Sequence, residues 1–135
     1  MAGYSGTPLW KKLGYKDGIE AYVEGAPASY FDSITLPAGL SVQWSECPKA
    51  GIGFVHLFTT SKSKLKTKVL RLRKLIAPDG IIWASWPKKS SGVATDITED
   101  IVREIALPTG LVDIKVCAVD ETWSGLKLMI RKELR

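Results

Sequence analysis

Apolar residues recur along this chain in two rhythms. Leu65, Val69, Leu72 and Ile76 fall at i, i+4, i+7 and i+11, which predicts one stripe of a helix over residues 60–76. On either side the rhythm changes. Residues 52–59 and 81–86 are nearly continuous apolar runs, the mark of strands buried on both faces of a parallel sheet. Ala77-Pro78-Asp79-Gly80 is expected to separate the helix from the second run, and Pro87 to end that run. Residues 19–24 alternate, with Ile19, Ala21 and Val23 on one face, and residues 40–44 carry a fainter strand signal. Near the end Val112, Ile114, Val116 and Ala118 share one side, as do Leu126, Leu128 and Ile130. The short connection from Asp120 to Gly125 predicts an antiparallel hairpin.

Helical signals lie between these strands. Pro8 suits the first turn of a short helix through Leu9-Trp10-Lys11-Lys12-Leu13, closed by Gly14. Residues 28–34 are long enough for one or two helical turns. Asp96 and Glu99 have capping-box spacing, an N-cap acid with a Glu at N3, and Ile97, Ile101 and Ile105 give the following helix its apolar face. Pro108-Thr109-Gly110 ends it. Strands alternating with helices imply right-handed crossovers. The expected fold is α/β: a single three-layer Rossmann-like domain over residues 1–135, with a mostly parallel sheet and a C-terminal antiparallel hairpin.

Composition narrows the function classes. The chain has 135 residues, 45% of them hydrophobic, which excludes a disordered or collagen-like chain. No run reaches the ~20 apolar residues of a membrane span. Met1-Ala2-Gly3-Tyr4-Ser5-Gly6 lacks the features of a signal peptide. Cys47 and Cys117 are therefore expected to be reduced thiols in a cytoplasmic protein. Two cysteines and one histidine, without CxxC or HxxxH spacing, supply no zinc ligand set. A GxSxG elbow is absent. His56, inside Phe54-Val55-His56-Leu57-Phe58, reads as a satisfied core histidine. Capping accounts for the acids at the helix start, Asp96 and Glu99, and no metal site is assigned.

The element order resembles the class I S-adenosylmethionine-dependent methyltransferases. The likeness rests on a buried strand followed by a helix and the turn Leu75-Ile76-Ala77-Pro78-Asp79-Gly80-Ile81-Ile82-Trp83, on the closing hairpin from Gly110-Leu111-Val112-Asp113-Ile114, and on a first strand that ends in glycine. It covers residues 52–132 better than the first half. The resemblance implies cofactor contacts at Gly25 and at Glu46, about 20 positions on. The turn Glu24-Gly25-Ala26-Pro27, however, has one glycine where that family is glycine-rich, and the stretch before Ile52 is too short for the usual two strands and two helices. Across its length the chain also resembles a small family of bacterial proteins of unknown function. The matching stretches are Ser5-Gly6-Thr7-Pro8-Leu9, Trp86-Pro87-Lys88-Lys89, residues 96–103, and Gly110 through Ser124. That second resemblance implies no activity.

Ligands of open α/β sheets bind at the carboxyl ends of the strands. The residues expected to form such a site are Thr60, Ser61, Trp86, Lys88, Lys89, Asp120 and Trp123. Ser5 and Thr7 join them as anion contacts if the first helix runs antiparallel to the first strand. Helix starts after Thr60 and Ser5 would present free N–H groups to an anion. Seven cations (Lys62, Lys64, Lys66, Lys68, Arg71, Arg73 and Lys74) crowd into 13 residues with no acid between Leu57 and Ala77. Lys62, Lys64, Lys66, Lys68 and Arg71 are thus candidate phosphate contacts for nucleic acid; an anionic lipid surface or an acidic partner is the alternative. Each feature also has a plain structural counterpart: tryptophans capping the core, a solvated Lys-Lys loop, a solvated basic helix face. Three functional readings follow. The first is a non-catalytic methyltransferase-like domain binding a small anionic ligand or a protein partner. The second is a minimal S-adenosylmethionine-dependent methyltransferase, and the third a nucleic-acid-binding module.

Overall fold

A computed structural model describes residues 7–135. Six strands form one sheet: β1 (Glu20–Glu24), β2 (Gln43–Trp44), β3 (Ile52–Phe58), β4 (Ile76–Pro87), β5 (Leu111–Ala118) and β6 (Trp123–Ile130). Their spatial order is β2-β1-β3-β4-β6-β5. The pairs β1–β2, β1–β3 and β3–β4 are parallel, whereas β6 runs antiparallel to both β4 and β5. The hairpin therefore inserts its second strand against β4 and leaves β5 at the edge. Helices α1 (Leu9–Leu13), α2 (Tyr30–Ile34), α3 (Lys62–Leu75) and α4 (Glu99–Ala106) cover the two faces.

Two apolar clusters make the sheet a middle layer. On one face Leu65, Val69 and Leu72 of α3 and Val102, Ile105 and Ala106 of α4 pack on Val55, Leu57, Ile82, Leu126 and Leu128. On the other, Leu13, Tyr15, Tyr30 and Ile34 pack on Phe54, Phe58, Trp83 and Cys117. Each fully buried Leu or Val contributes about 1.5–3 kcal/mol relative to exposure. The predicted stripe of α3 is therefore its buried face. Its end differs from expectation: the helix stops at Leu75, and Ile76 already pairs with Ile52.

The segment read as a helix stop lies inside a strand. Ile52 pairs with Ile76 and Phe54 with Ile81, so Ala77-Pro78-Asp79-Gly80 is accommodated opposite Gly53 as an irregularity within β4. Pro78 is tolerated because the ladder is interrupted there. Three further expectations change. The N-cap of α4 is Thr98, whose hydroxyl accepts from the Ile101 N–H at 3.2 Å, rather than Asp96. The buried face of α4 is Val102, Ile105 and Ala106; Ile101 is only partly buried. In β5 a bulge lies between Asp113 and Lys115, and Ile114 and Val116 are exposed (46% and 44%) instead of lining one inner face.

Candidate functional site

The start of α3 is met in part by the chain's own side chains. The side chain of Ser61, its N-cap, accepts from the Lys64 N–H at 3.4 Å, and Thr59 Oγ1 accepts from the Ser61 N–H at 3.2 Å. Asp96 Oδ1 accepts from the Lys62 N–H at 2.7 Å. Thr95 Oγ1 donates to the Thr60 carbonyl at 2.7 Å. The Lys62 N–H after Thr60 is thus met by the chain's own carboxylate, as the positive end of a helix dipole favours. Thr60 and Ser61 serve as the seat of this clasp. The matching expectation at Ser5 lies outside the described residues.

Beside the clasp, Trp86, Lys88 and Lys89 do come together. They line a cleft of about 640 Å³ with Thr95, Thr98, Glu99 and Ser124. The positions follow from the fold. β4 delivers Trp86 at its carboxyl end, paired with Ser124 of β6. The Lys88 N–H then donates to the Thr122 carbonyl at 2.7 Å, which turns the chain out over the hairpin. The segment returns through Gly92, with φ of 76°, to the start of α4. Trp86 and Ile97 are buried and form the apolar part, while Lys89 is exposed and Lys88 half-buried. Glu99 is held by Arg103. The cleft thus joins two ammonium groups and three hydroxyls to an apolar base. Ser124 reaches this edge with the hairpin that carries Trp123; Thr95 and Thr98 lie outside the residues expected from the sequence. Thr98 carries a signal, as a cap-type residue directly before Glu99; Thr95 arrives only through tertiary placement.

The rest of the expected set is dispersed. Asp120 is a turn residue: its Oδ1 accepts from the N–H groups of Thr122 at 2.8 Å and Trp123 at 2.7 Å. Trp123 packs edge-on against Phe58, with ring centres 5.2 Å apart, on the face opposite Trp86. The two tryptophans share an edge of the sheet but not a side. Thr7 lines a separate cleft with Lys11, Lys12 and residues 115–118. Gly25 follows β1 and Glu46 follows β2, both toward the carboxyl ends of neighbouring parallel strands; Glu46 is exposed. Gly25 has φ of 74°, and a Cβ there would stand 2.4 Å from the Phe58 carbonyl oxygen. The turn after β1 thus closes against the end of β3.

His56 is fully buried and satisfied, as expected. Its Nδ1 is 2.9 Å from Tyr30 Oη and its Nε2 is 2.7 Å from Ser85 Oγ. Tyr30 Oη is in turn 2.6 Å from Tyr15 Oη. Burial lowers the imidazole pKa to about 3, so it is neutral at pH 7. Burial likewise pushes both phenols well above their ordinary range. Among the described residues no group of three or more His, Cys, Asp or Glu could hold a metal.

The basic helix has two sides. Lys62 and Lys66 line a groove toward α4, with Arg73, Lys74 and Glu104. Lys68 and Arg71 turn toward β1, where Lys68 pairs with Glu24. Of the five candidate phosphate contacts, two thus line the α4-side groove, two face β1, and Lys64 is exposed apart from both clefts. No helix among the described residues is long and apolar enough to cross a membrane.

Comparison with solved structures identifies the architecture. An S-adenosylmethionine-dependent methyltransferase from Aquifex aeolicus superposes with a TM-score of 0.65 at 14% identity, over 91% of this chain and 88% of that one. The chain has a methyltransferase-like fold. A TehB-like S-adenosylmethionine-dependent methyltransferase from Corynebacterium glutamicum gives 0.58 at 7% identity, over 90% and 85% of the two chains. A putative type 11 methyltransferase from Sulfolobus solfataricus gives 0.52 at 12%, over 82% and 70%. No family model matches the sequence, and no curated protein does.

Proposed function

We propose that this methyltransferase-like domain is non-catalytic and binds a small anionic ligand in the cleft at the carboxyl end of β4. The carrying observation is the convergence of Lys88, Lys89, Thr95, Thr98 and Ser124 over Trp86 in one space of about 640 Å³. A phosphate or carboxylate would meet the two ammonium groups and the Thr98 and Ser124 hydroxyls, the Thr95 hydroxyl being spent on the Thr60 carbonyl, and an apolar portion would lie toward Trp86 and Ile97, as in a nucleotide-like molecule. The closed turn at Gly25, packed on the Phe58 carbonyl, favours this reading over catalysis with a cofactor held after β1. The test is a thermal-shift panel of nucleotides, sugar phosphates, S-adenosylmethionine and oligonucleotides at low and high salt. Replacing Lys88 and Lys89 by Ala should weaken the responding ligand about 10–100-fold. Unchanged affinity in that variant overturns the assignment.

A second reading is a minimal S-adenosylmethionine-dependent methyltransferase. It is favoured by the left-handed Gly25 after β1, with Glu46 beyond the adjacent parallel strand. It requires measurable S-adenosylmethionine binding that Glu46→Gln weakens. Absence of binding at millimolar cofactor removes it.

A further inference from the structure

The bulge in β5 places two lysines face to face. Asp113 pairs with Leu128 and Lys115 with Lys127, so Ile114 is the extra residue. In a regular strand, residues 113 and 115 would point to the same side. Here Asp113 points to α4, where it binds Arg103 at 2.9 Å. Lys115 is turned to the α1 face, directly across from Lys127. Bulges redirect side chains in this way, and like charges directly opposite across strands are destabilising.

The surroundings are basic as well. Lys11, Lys12 and Lys115 line a cleft of about 450 Å³ with Thr7, Val116, Cys117 and Ala118. Burial, and then the charges of Lys115 and Lys16, lower the Lys127 pKa. Burial raises the Cys117 thiol pKa against the opposing pull of Lys12 and Lys115. No carboxylate among the described residues pairs with Lys11, Lys16, Lys115 or Lys127. Asp17, beside Lys16, accepts instead from the Ser41 N–H at 2.7 Å. Residues 1–6 contain no acid.

We infer that this cleft is a second anion site on the α1 face, lined by Lys11, Lys12 and Lys115 with Lys127 across the strand from Lys115, and that it takes a multiply charged inorganic-type anion such as a polyphosphate. Val116, Cys117 and Ala118 form its wall, but no acid is among the residues that line it, so charge rather than shape selects the ligand. It differs in chemistry and position from the Lys88–Lys89 cleft, which has an apolar base.

Isothermal titration of the full chain with tripolyphosphate at low salt tests the inference, in wild type, Lys115→Glu and the Lys88→Ala/Lys89→Ala variant. Lys115→Glu converts the facing lysines into a cross-strand ion pair. It should raise the thermal midpoint by a few °C without ligand and weaken tripolyphosphate at least ~10-fold. Lys115→Gln, which adds no charge, should weaken it by less and in the same direction. The Lys88→Ala/Lys89→Ala variant should keep this binding. Three results overturn the site: no tripolyphosphate binding to wild type, equal binding to wild type and both Lys115 variants, or loss of binding only in the Lys88→Ala/Lys89→Ala variant.

Discussion

Asp96 caps a helix to which it does not belong: its carboxylate receives the Lys62 N–H of α3 at 2.7 Å, 34 residues away in sequence. Removing an N-terminal cap of this type costs about 1 kcal/mol. Asp96→Ala should therefore lower the free energy of urea unfolding by an amount of that order, seen as a lower midpoint at unchanged slope, whereas Asp96→Asn, which keeps an acceptor, should cost less. Equal stability of Asp96→Ala and wild type would remove the clasp from the account of the fold.

Gly25 is irreplaceable for two reasons that add. Its φ of 74° disfavours an L side chain, and its missing Cβ leaves room for the Phe58 carbonyl. Gly25→Ala is expected to cost roughly 2–4 kcal/mol in denaturant unfolding, from backbone strain plus overpacking. Gly39, where nothing lies within 4 Å of an added Cβ, is the control.

Stability should fall as pH drops from about 6.5, because of His56. The folded-state pKa is about 3 against 6.5 for an unperturbed imidazole. Between these values the unfolded chain binds the proton and the folded chain does not, so unfolding is favoured by acid. The contribution is complete above pH 7 and is lost progressively below 6.5, reaching a few kcal/mol at the acid end. Most of the upper part of this window lies above carboxylate titration. Denaturation series from pH 7.5 to 5 should show this slope in wild type and not in His56→Gln.

Arg103 holds α4 to the edge of the sheet. Its Nε donates to Asp113 Oδ2 at 2.9 Å, and the same guanidinium meets Glu99 and Asp100. The Arg103 hydrogen bond holds the Asp113 carboxyl below its ordinary range. In Arg103→Met, the Asp113 carbon resonances should titrate at higher pH than in wild type. An unchanged midpoint would mean that the pair does not persist in solution.

Much of this architecture was legible in local chemistry. The α3 stripe, the Gly14 stop after α1 and the buried runs of β3 and β4 each need only short-range spacing. What stayed hidden depends on neighbours. Asp96 and Thr98 are both competent caps, and the choice between them follows from where α3 begins. Ala77-Pro78-Asp79-Gly80 has the chemistry of a stop; its inclusion in β4 requires the pairing of Ile76 with Ile52. At the site, Trp86 and Lys88-Lys89 follow from the end of one strand. Trp123 pairs with Pro87, one position beyond Trp86, and a one-residue offset sends it to the other face.

The buried Tyr30–His56–Ser85 chain has a consequence for how the strands find each other. Parallel strands such as β3 and β4 carry similar apolar runs, and hydrophobicity alone distinguishes poorly between adjacent alignments. Sliding β3 by one residue would swing the imidazole to the α3 side, leave Tyr30 with Tyr15 as its partner and strand the Ser85 hydroxyl in a dry interior. Such an orphaned group costs about 1–3 kcal/mol. The histidine thus acts as a proofreader of assembly, penalising misaligned chains that the greasy residues around it would accept.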